Sequence, residues 1–231
     1  MTQIFIAGDS TAAQKIPEKR PETGWGEKLG DFFTSEITIK NHAQNGRSTK
    51  SFLAEGRLKT IEKEIQTGDY LLIQFGHNDQ KEDPTRGTNP FDTYQKNLQL
   101  FADVARKKRA TPIFLTSITR RMYLPNGTLD PLTLGDYPEA MKQLALEQKI
   151  LLLDLFTKSQ ESLQQKKQDE TKKLYLHGTP GEFSTYPEGV QDNTHLNEAG
   201  AEWIAQLVVD ELQKTDCPLK ESLKRRSHVY I

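Results

Sequence analysis

Short, nearly continuous apolar runs alternate along the chain with longer segments in which apolar residues recur every three or four positions. Ile4-Phe5-Ile6, Tyr70 to Phe75, Pro112 to Ile118 and Ile150 to Phe156 suit strands of a parallel sheet covered on both faces, and Ile37 with Ile39 marks a further strand. Between them the spacing predicts helices over Glu27 to Phe33 and over Thr49 to Gln66, the latter with Phe52, Ile61 and Ile65 apolar and closed by Gly68. Asn89-Pro90, a cap followed by proline in the first turn, starts another, with Tyr94, Leu98, Phe101 and Ala105 on its core face. Tyr137 to Gln148, a very polar stretch from Lys158 to Lys173, and Asn197 to Lys214 complete the set; the last turns Trp203, Ile204, Leu207, Val208 and Leu212 inward. Strands alternating with helices predict an α/β chain, a five-stranded parallel sheet between two helical layers. No linker or internal repeat divides it, so residues 1–214 are expected to form one domain. Residues 215–231 read as a docked or frayed tail, with a subunit contact as the alternative.

Bulk properties narrow the function. With 231 residues the chain can bury a sizeable core, and a formal net charge of −1 gives no overall field to draw nucleic acid or an anionic membrane. The basic run Arg106-Lys107-Lys108-Arg109 matches the negative end of its helix dipole and needs no nucleic-acid partner. The single cysteine, Cys217, excludes an intramolecular disulfide and any multi-cysteine metal site. No apolar run approaches the roughly 18 residues of a membrane span. The first strand begins at the initiator Met, leaving no room for a signal peptide, so a cytoplasmic location is expected. The oligomeric state is left open.

The chemistry collects at strand ends. Gly8-Asp9-Ser10 follows the first strand, at the edge where open α/β sheets bind ligands. Alone, these are ordinary turn residues. Three more polar blocks, Asn45-Gly46-Arg47, Gly76-His77-Asn78-Asp79 and Asp192-Asn193-Thr194-His195, are expected in loops at the same edge. A serine nucleophile needs a base to take its proton and an acid to fix the tautomer of that base; Ser10, His195 and Asp192 supply those types. The backbone N–H groups of Ser10 and Gly46 and the side-chain amide of Asn78 are suitable donors for a developing oxyanion. Such chemistry requires no cofactor and no metal. Thr119 to Asp136, long and without periodicity, reads as functional or mobile, and Gly178 to Asn193 as a loop.

These four blocks, in this order, resemble the SGNH (GDSL-type) hydrolases, whose name lists the residue types found here as Ser10, Gly46, Asn78 and His195. More narrowly, Gly8-Asp9-Ser10-Thr11, Thr23-Gly24-Trp25-Gly26, Asn45 to Phe52, Gln74 to Asp79 and Asp192 to Leu196 are similar to the rhamnogalacturonan acetylesterase branch. The likeness runs from Ile4 to about Leu212. It implies a flavodoxin-like three-layer fold with strand order 2-1-3-4-5, and removal of acetyl groups from pectic sugar, with an acetylated oligosaccharide as the partner.

For a uronate-bearing substrate, Arg86, Arg120 and Arg121 are the candidate carboxylate contacts, because a guanidinium fork suits a carboxylate. Trp25 and Tyr123 are candidates for stacking on a sugar face, although Trp25 between two glycines could equally be a core wedge. Two other readings use the same residues. A general carbohydrate or small-ester acetylesterase keeps the machinery without the pectic preference. A metal-dependent phosphoesterase would recruit His77, Asn78, Asp79, Asp192 and His195, with His42 the further ligand nearby. A non-catalytic sugar-binding module would leave Ser10 and His195 idle.

Overall fold

The structure, a computed structural model, describes residues 2–224. Strand β1 (Thr2–Gly8) takes the centre because its alternating residues serve two cores: Ile4 and Ile6 are buried in one, Phe5 and Ala7 in the other. It pairs in parallel with β2 (Ile37–Asn41) on one side and β3 (Tyr70–Gln74) on the other. β4 (Thr111–Leu115) and β5 (Leu151–Leu153) extend the sheet to the order 2-1-3-4-5, so the sequence-based fold expectation holds. This order reverses at β1, which places the carboxyl end of β1 at a topological switch point.

On one face lie α2 (Thr49–Ala54), α3 (Arg57–Glu64), α4 (Gln95–Lys107) and α5 (Tyr137–Gln148), with Phe52, Ile61, Phe101 and Met141 packed on Leu71, Ile73 and Phe114. On the other lie α1 (Trp25–Lys28), α6 (Leu155–Gln164) and α7 (Glu198–Gln213), with Trp25, Leu163, Ile204 and Val208 packed on Leu72, Ile113 and Leu153.

Several boundaries differ from expectation, each for a local reason. The helix expected over 49–66 breaks at Gly56, whose φ of +71° starts a new helix, α3. β5 stops after three residues because the Asp154 side chain accepts a hydrogen bond from the Thr157 N–H and caps α6, taking Leu155 and Phe156 into the helix. α6 then ends at Gln164, and a 3-10 turn over Glu170–Leu174 replaces the rest of the expected polar helix. The expected 178–193 loop ends in a strand. β6 (Tyr175–Gly178) and β7 (Val190–Leu196) form an antiparallel ribbon beside the main sheet, and β7 carries Asp192 and His195.

Residues 215–224 are docked. Leu219 and Leu223 are buried, and the Thr34 N–H donates to the Ser222 carbonyl at 2.9 Å. Arg225, Arg226, Val229 and Ile231 of the expected tail lie outside the described residues. Among the described residues, no helix is long and apolar enough to cross a membrane.

Candidate active site

β1 ends on Gly8, where a Cβ would stand 3.0 Å from the Gln74 carbonyl oxygen, so a glycine lets β1 and β3 close up behind the turn. The buried Asp9 carboxylate fixes that turn by accepting from the Thr11 N–H (2.9 Å) and the Thr11 hydroxyl (2.8 Å). Ser10 emerges next, with its Oγ 2.9 Å from His195 Nε2; His195 Nδ1 lies 2.7 Å from Asp192 Oδ2. Asp192 also accepts the backbone N–H groups of Thr194 (2.7 Å) and His195 (2.9 Å) through Oδ1. An ionised Asp192 can only accept, so Nδ1 carries the imidazole proton and Nε2 is left to receive one from Ser10.

The electrostatics agree with this tautomer. Burial would raise Asp192, but its hydrogen bond to His195, the charge of that ring and the two backbone N–H groups outweigh burial and hold it well below the usual carboxylate range. Burial pushes His195 down, whereas its hydrogen bond to Asp192, the Asp192 charge and the Glu22 charge push it up, leaving it above its ordinary value.

The predicted oxyanion donors Gly46 and Asn78 lie in the loops after β2 and β3. Gly46, at φ +75°, has open space where a Cβ would project. The buried Asn78 amide donates to the Arg47 carbonyl at 3.1 Å, which fixes its plane and leaves its second N–H available. Asp79 pins this region: its carboxylate accepts the Thr49 N–H at 3.1 Å and the Thr49 hydroxyl at 2.5 Å. Burial, only partly offset by these bonds and by one from Thr88, pushes Asp79 up to about 7. His77 turns away to Asp9, Nδ1 to Oδ2, at 3.2 Å. His77, Asp79, Asp192 and His195 thus answer to different partners and do not converge as the phosphoesterase reading required. No group of three or more His, Cys, Asp or Glu able to hold a metal occurs among the described residues.

The sequence reading missed Lys15. Its fully buried ammonium donates to the Ser10 carbonyl (2.5 Å) and to Asn45 Oδ1 (2.6 Å), and pairs with Glu22 at 2.7 Å. It therefore ties the Ser10 turn to the Gly46 loop. Nothing in the polar stretch around it signals burial.

Two of the expected sugar contacts, Trp25 and Arg121, need correction, and Arg120 and Tyr123 already have partners within the protein. Trp25 is fully buried and its Nε1 donates to Gln74 Oε1 at 3.0 Å, so it is the core wedge and presents no face to a sugar. Arg121 is also buried; its guanidinium donates to Thr171 Oγ1 (2.9 Å), Asn193 Oδ1 (3.1 Å) and the Gln168 carbonyl (2.8 Å), which fastens β7 rather than a substrate. Arg120 spends its guanidinium on Gln80 Oε1 (2.8 Å) and on the Thr133 carbonyl. Tyr123 sits beneath Arg121, 5.3 Å from guanidinium carbon to ring centroid, with its hydroxyl 3.1 Å from Thr171 Oγ1. Arg86 keeps both terminal nitrogens of its guanidinium open, as described below.

Residues 6–203 match the GDSL-like Lipase/Acylhydrolase family. This chain belongs to that family. Among its relatives, the rhamnogalacturonan acetylesterase RhgT of Bacillus subtilis is 46% identical over 97% of this chain and 95% of that protein. The probable rhamnogalacturonan acetylesterase YesY of the same organism is 37% identical over 95% of this chain and 96% of that protein. Of solved structures, YxiM of Bacillus subtilis superposes with a TM-score of 0.76 at 27% identity, over 92% of this chain and 56% of that one. A catalytic mutant of Axe2, an acetylxylan esterase from Geobacillus stearothermophilus, shares the fold at a TM-score of 0.61 and 18% identity, over 91% of this chain and 94% of that one. As a GDSL-like acylhydrolase the chain is a carboxylic ester hydrolase.

Proposed function

We propose that this esterase removes acetyl groups from pectic, rhamnogalacturonan-type oligosaccharides through an acetyl-enzyme formed on Ser10. The observation that carries the chemistry is the continuous Ser10–His195–Asp192 chain, at 2.9 Å and 2.7 Å. Ser10 Oγ attacks the acetyl carbonyl while His195 Nε2 takes its proton; Asp192 stabilises the resulting imidazolium. The carbonyl oxygen, now negative, is received by the N–H groups of Ser10 and Gly46 and by Asn78. When the tetrahedral adduct collapses, the C–O bond to the sugar breaks and His195 returns the proton to the departing sugar oxygen. Water, deprotonated by His195, then cleaves acetyl-Ser10 and releases acetate. The substrate class is supported by the 46% identity to RhgT over nearly the whole chain.

Two measurements test the halves separately. Ser10→Ala should lower turnover of an aryl acetate by about 10⁴-fold or more, with circular dichroism unchanged. Asn78→Ala should cost about 10²–10³. Near-wild-type turnover by Ser10→Ala refutes the mechanism. The substrate half is tested by acetate release from acetylated rhamnogalacturonan fragments against neutral acetylated xylo-oligosaccharides; equal efficiency on both leaves a general carbohydrate acetylesterase.

A further inference from the structure

Gly46 also lines an open cleft of 430 Å³, whose walls include Arg47, Ser51, Glu55, Thr85 and Arg86. A cleft of this size fits a small polar ligand, and a proposed oxyanion donor, Gly46, is among its lining residues. Its charges are unevenly spent. Arg47 Nε and Nη2 bind Glu55 at 3.0 Å and 2.9 Å, and Nη1 donates to the Asn45 carbonyl at 2.8 Å. Arg57 reaches the same Glu55 carboxylate at 2.5 Å, so this acid is doubly neutralised and does not repel an anion. Arg86 uses only Nε, on Asp83 Oδ2 at 2.6 Å. Among the described residues its Nη1 and Nη2 have no partner. Three guanidiniums against two carboxylates leave one positive charge, shared by Arg47 and Arg57 over Glu55, while Arg86 supplies the donors that no neighbour occupies.

We propose that this cleft is a carboxylate subsite, in which Nη1 and Nη2 of Arg86 receive a uronate of the acetylated substrate. The inference rests on the pectic reading above and gives it a recognition element. Two parallel N–H donors in a plane match a carboxylate, and a lysine or a hydroxyl cannot reproduce them. The loop is built to hold that plane still. Asp83 is fixed by the Thr85 N–H (2.8 Å) and hydroxyl (2.7 Å), and it in turn orients Arg86 through Nε. The Gly87 N–H closes the turn onto the Asp83 carbonyl at 2.5 Å, where a Cβ on Gly87 would stand 2.4 Å from the Lys81 carbonyl oxygen. Lys50, from α2, donates to the Pro84 carbonyl at 2.5 Å, and the Thr88 N–H returns to the Asp79 carbonyl at 3.0 Å. The Ser51 and Thr85 hydroxyls on the same walls suit sugar hydroxyls.

The test compares kcat/KM on acetylated rhamnogalacturonan fragments with free uronates and on the same fragments after methyl esterification. The wild-type protein should prefer the free acid by about tenfold or more, mainly through KM, and added salt should shrink the preference. In Arg86→Gln the ratio should fall towards one; Arg86→Lys should keep only part of it. A wild-type ratio near one with both substrates turned over, or an undiminished ratio in Arg86→Gln, overturns the subsite and leaves the acetylesterase reading standing. Hydrolysis of an aryl acetate with neither pectic substrate touched overturns the pectic reading and the subsite together.

Discussion

His195 is pulled in opposite directions by two charges from one loop: Glu22 raises its pKa and Lys15 lowers it, while Asp192 adds to the upward push. As the proposed base it works only when neutral, so activity is lost as pH falls through its pKa. Because that pKa is raised, the acid limb of kcat/KM on an aryl acetate should have its midpoint above 6.5. Glu22→Gln removes an upward push and should move the midpoint down. It also leaves the buried Lys15 ammonium without its charge partner, so the melting temperature should fall as well. A midpoint at or below 6.5, or one unmoved by Glu22→Gln, contradicts the upward shift, and a rate flat from mildly acidic to neutral pH contradicts the assignment of His195 as base. The chain Ser10, His195 and Asp192 was legible in the sequence because each belongs to a polar block expected at the carboxyl edge of the sheet. Lys15, Glu22 and Trp25 were not. Whether a lysine or a tryptophan in an irregular loop is buried depends on what folds over it, and no local pattern encodes that.

At the scale of elements, the proposed base and its acid do not sit on the main sheet but on the β6–β7 ribbon, so their placement depends on how that ribbon is held. Three attachments do this. The Thr23 N–H donates to the Leu196 carbonyl at 2.9 Å; Arg121 grips Asn193 through side chain and backbone; and α7 packs so closely on Leu174 that a Cβ on Gly200 would stand 1.7 Å from its carbonyl oxygen. Arg121→Ala removes buried bonds to a charged group and should cost about 2 kcal/mol or more in chemical denaturation. Since β7 then loosens, kcat should fall by the same factor on uronate-bearing and neutral acetyl esters. A fall confined to the uronate substrates would instead restore Arg121 as a substrate contact. The ribbon escaped the sequence reading because β7, Val190-Gln191-Asp192-Asn193-Thr194-His195-Leu196, is polar at most positions and follows a stretch rich in glycine and proline. The inner strands β1, β3 and β4 were legible for the opposite reason: buried on both faces, they read as nearly unbroken apolar runs.

Across the whole molecule, the two edges of the sheet have separate tasks. The carboxyl edge carries the proposed chemistry, while the amino edge is closed by the segment after α7. Cys217 and Pro218 border a cavity with Thr111, Pro112, Ile150 and Leu151, at the start of β4 and β5. Further on, Leu223 bridges to Phe33 and the Lys224 N–H donates to the Phe32 carbonyl at 2.9 Å, just ahead of β2. Leu219 and Leu223 are 3% and 8% exposed and join the core that holds Phe32, Phe33 and Leu212, so this segment is part of the folded body and its removal uncovers apolar surface. Truncating either leucine should leave a cavity and cost about 2–5 kcal/mol. The effect on chemistry should differ sharply from the effect on stability, because the docked segment lies at the sheet edge opposite Ser10. Leu219→Ala and Leu223→Ala should each lower the melting temperature by several degrees, while kcat on an aryl acetate, measured well below the transition, stays close to wild type. A large loss of kcat in a variant shown to be fully folded at the assay temperature would mean that the amino edge is coupled to the Ser10 turn, through β1 or the α1 region, and that the two edges do not act independently.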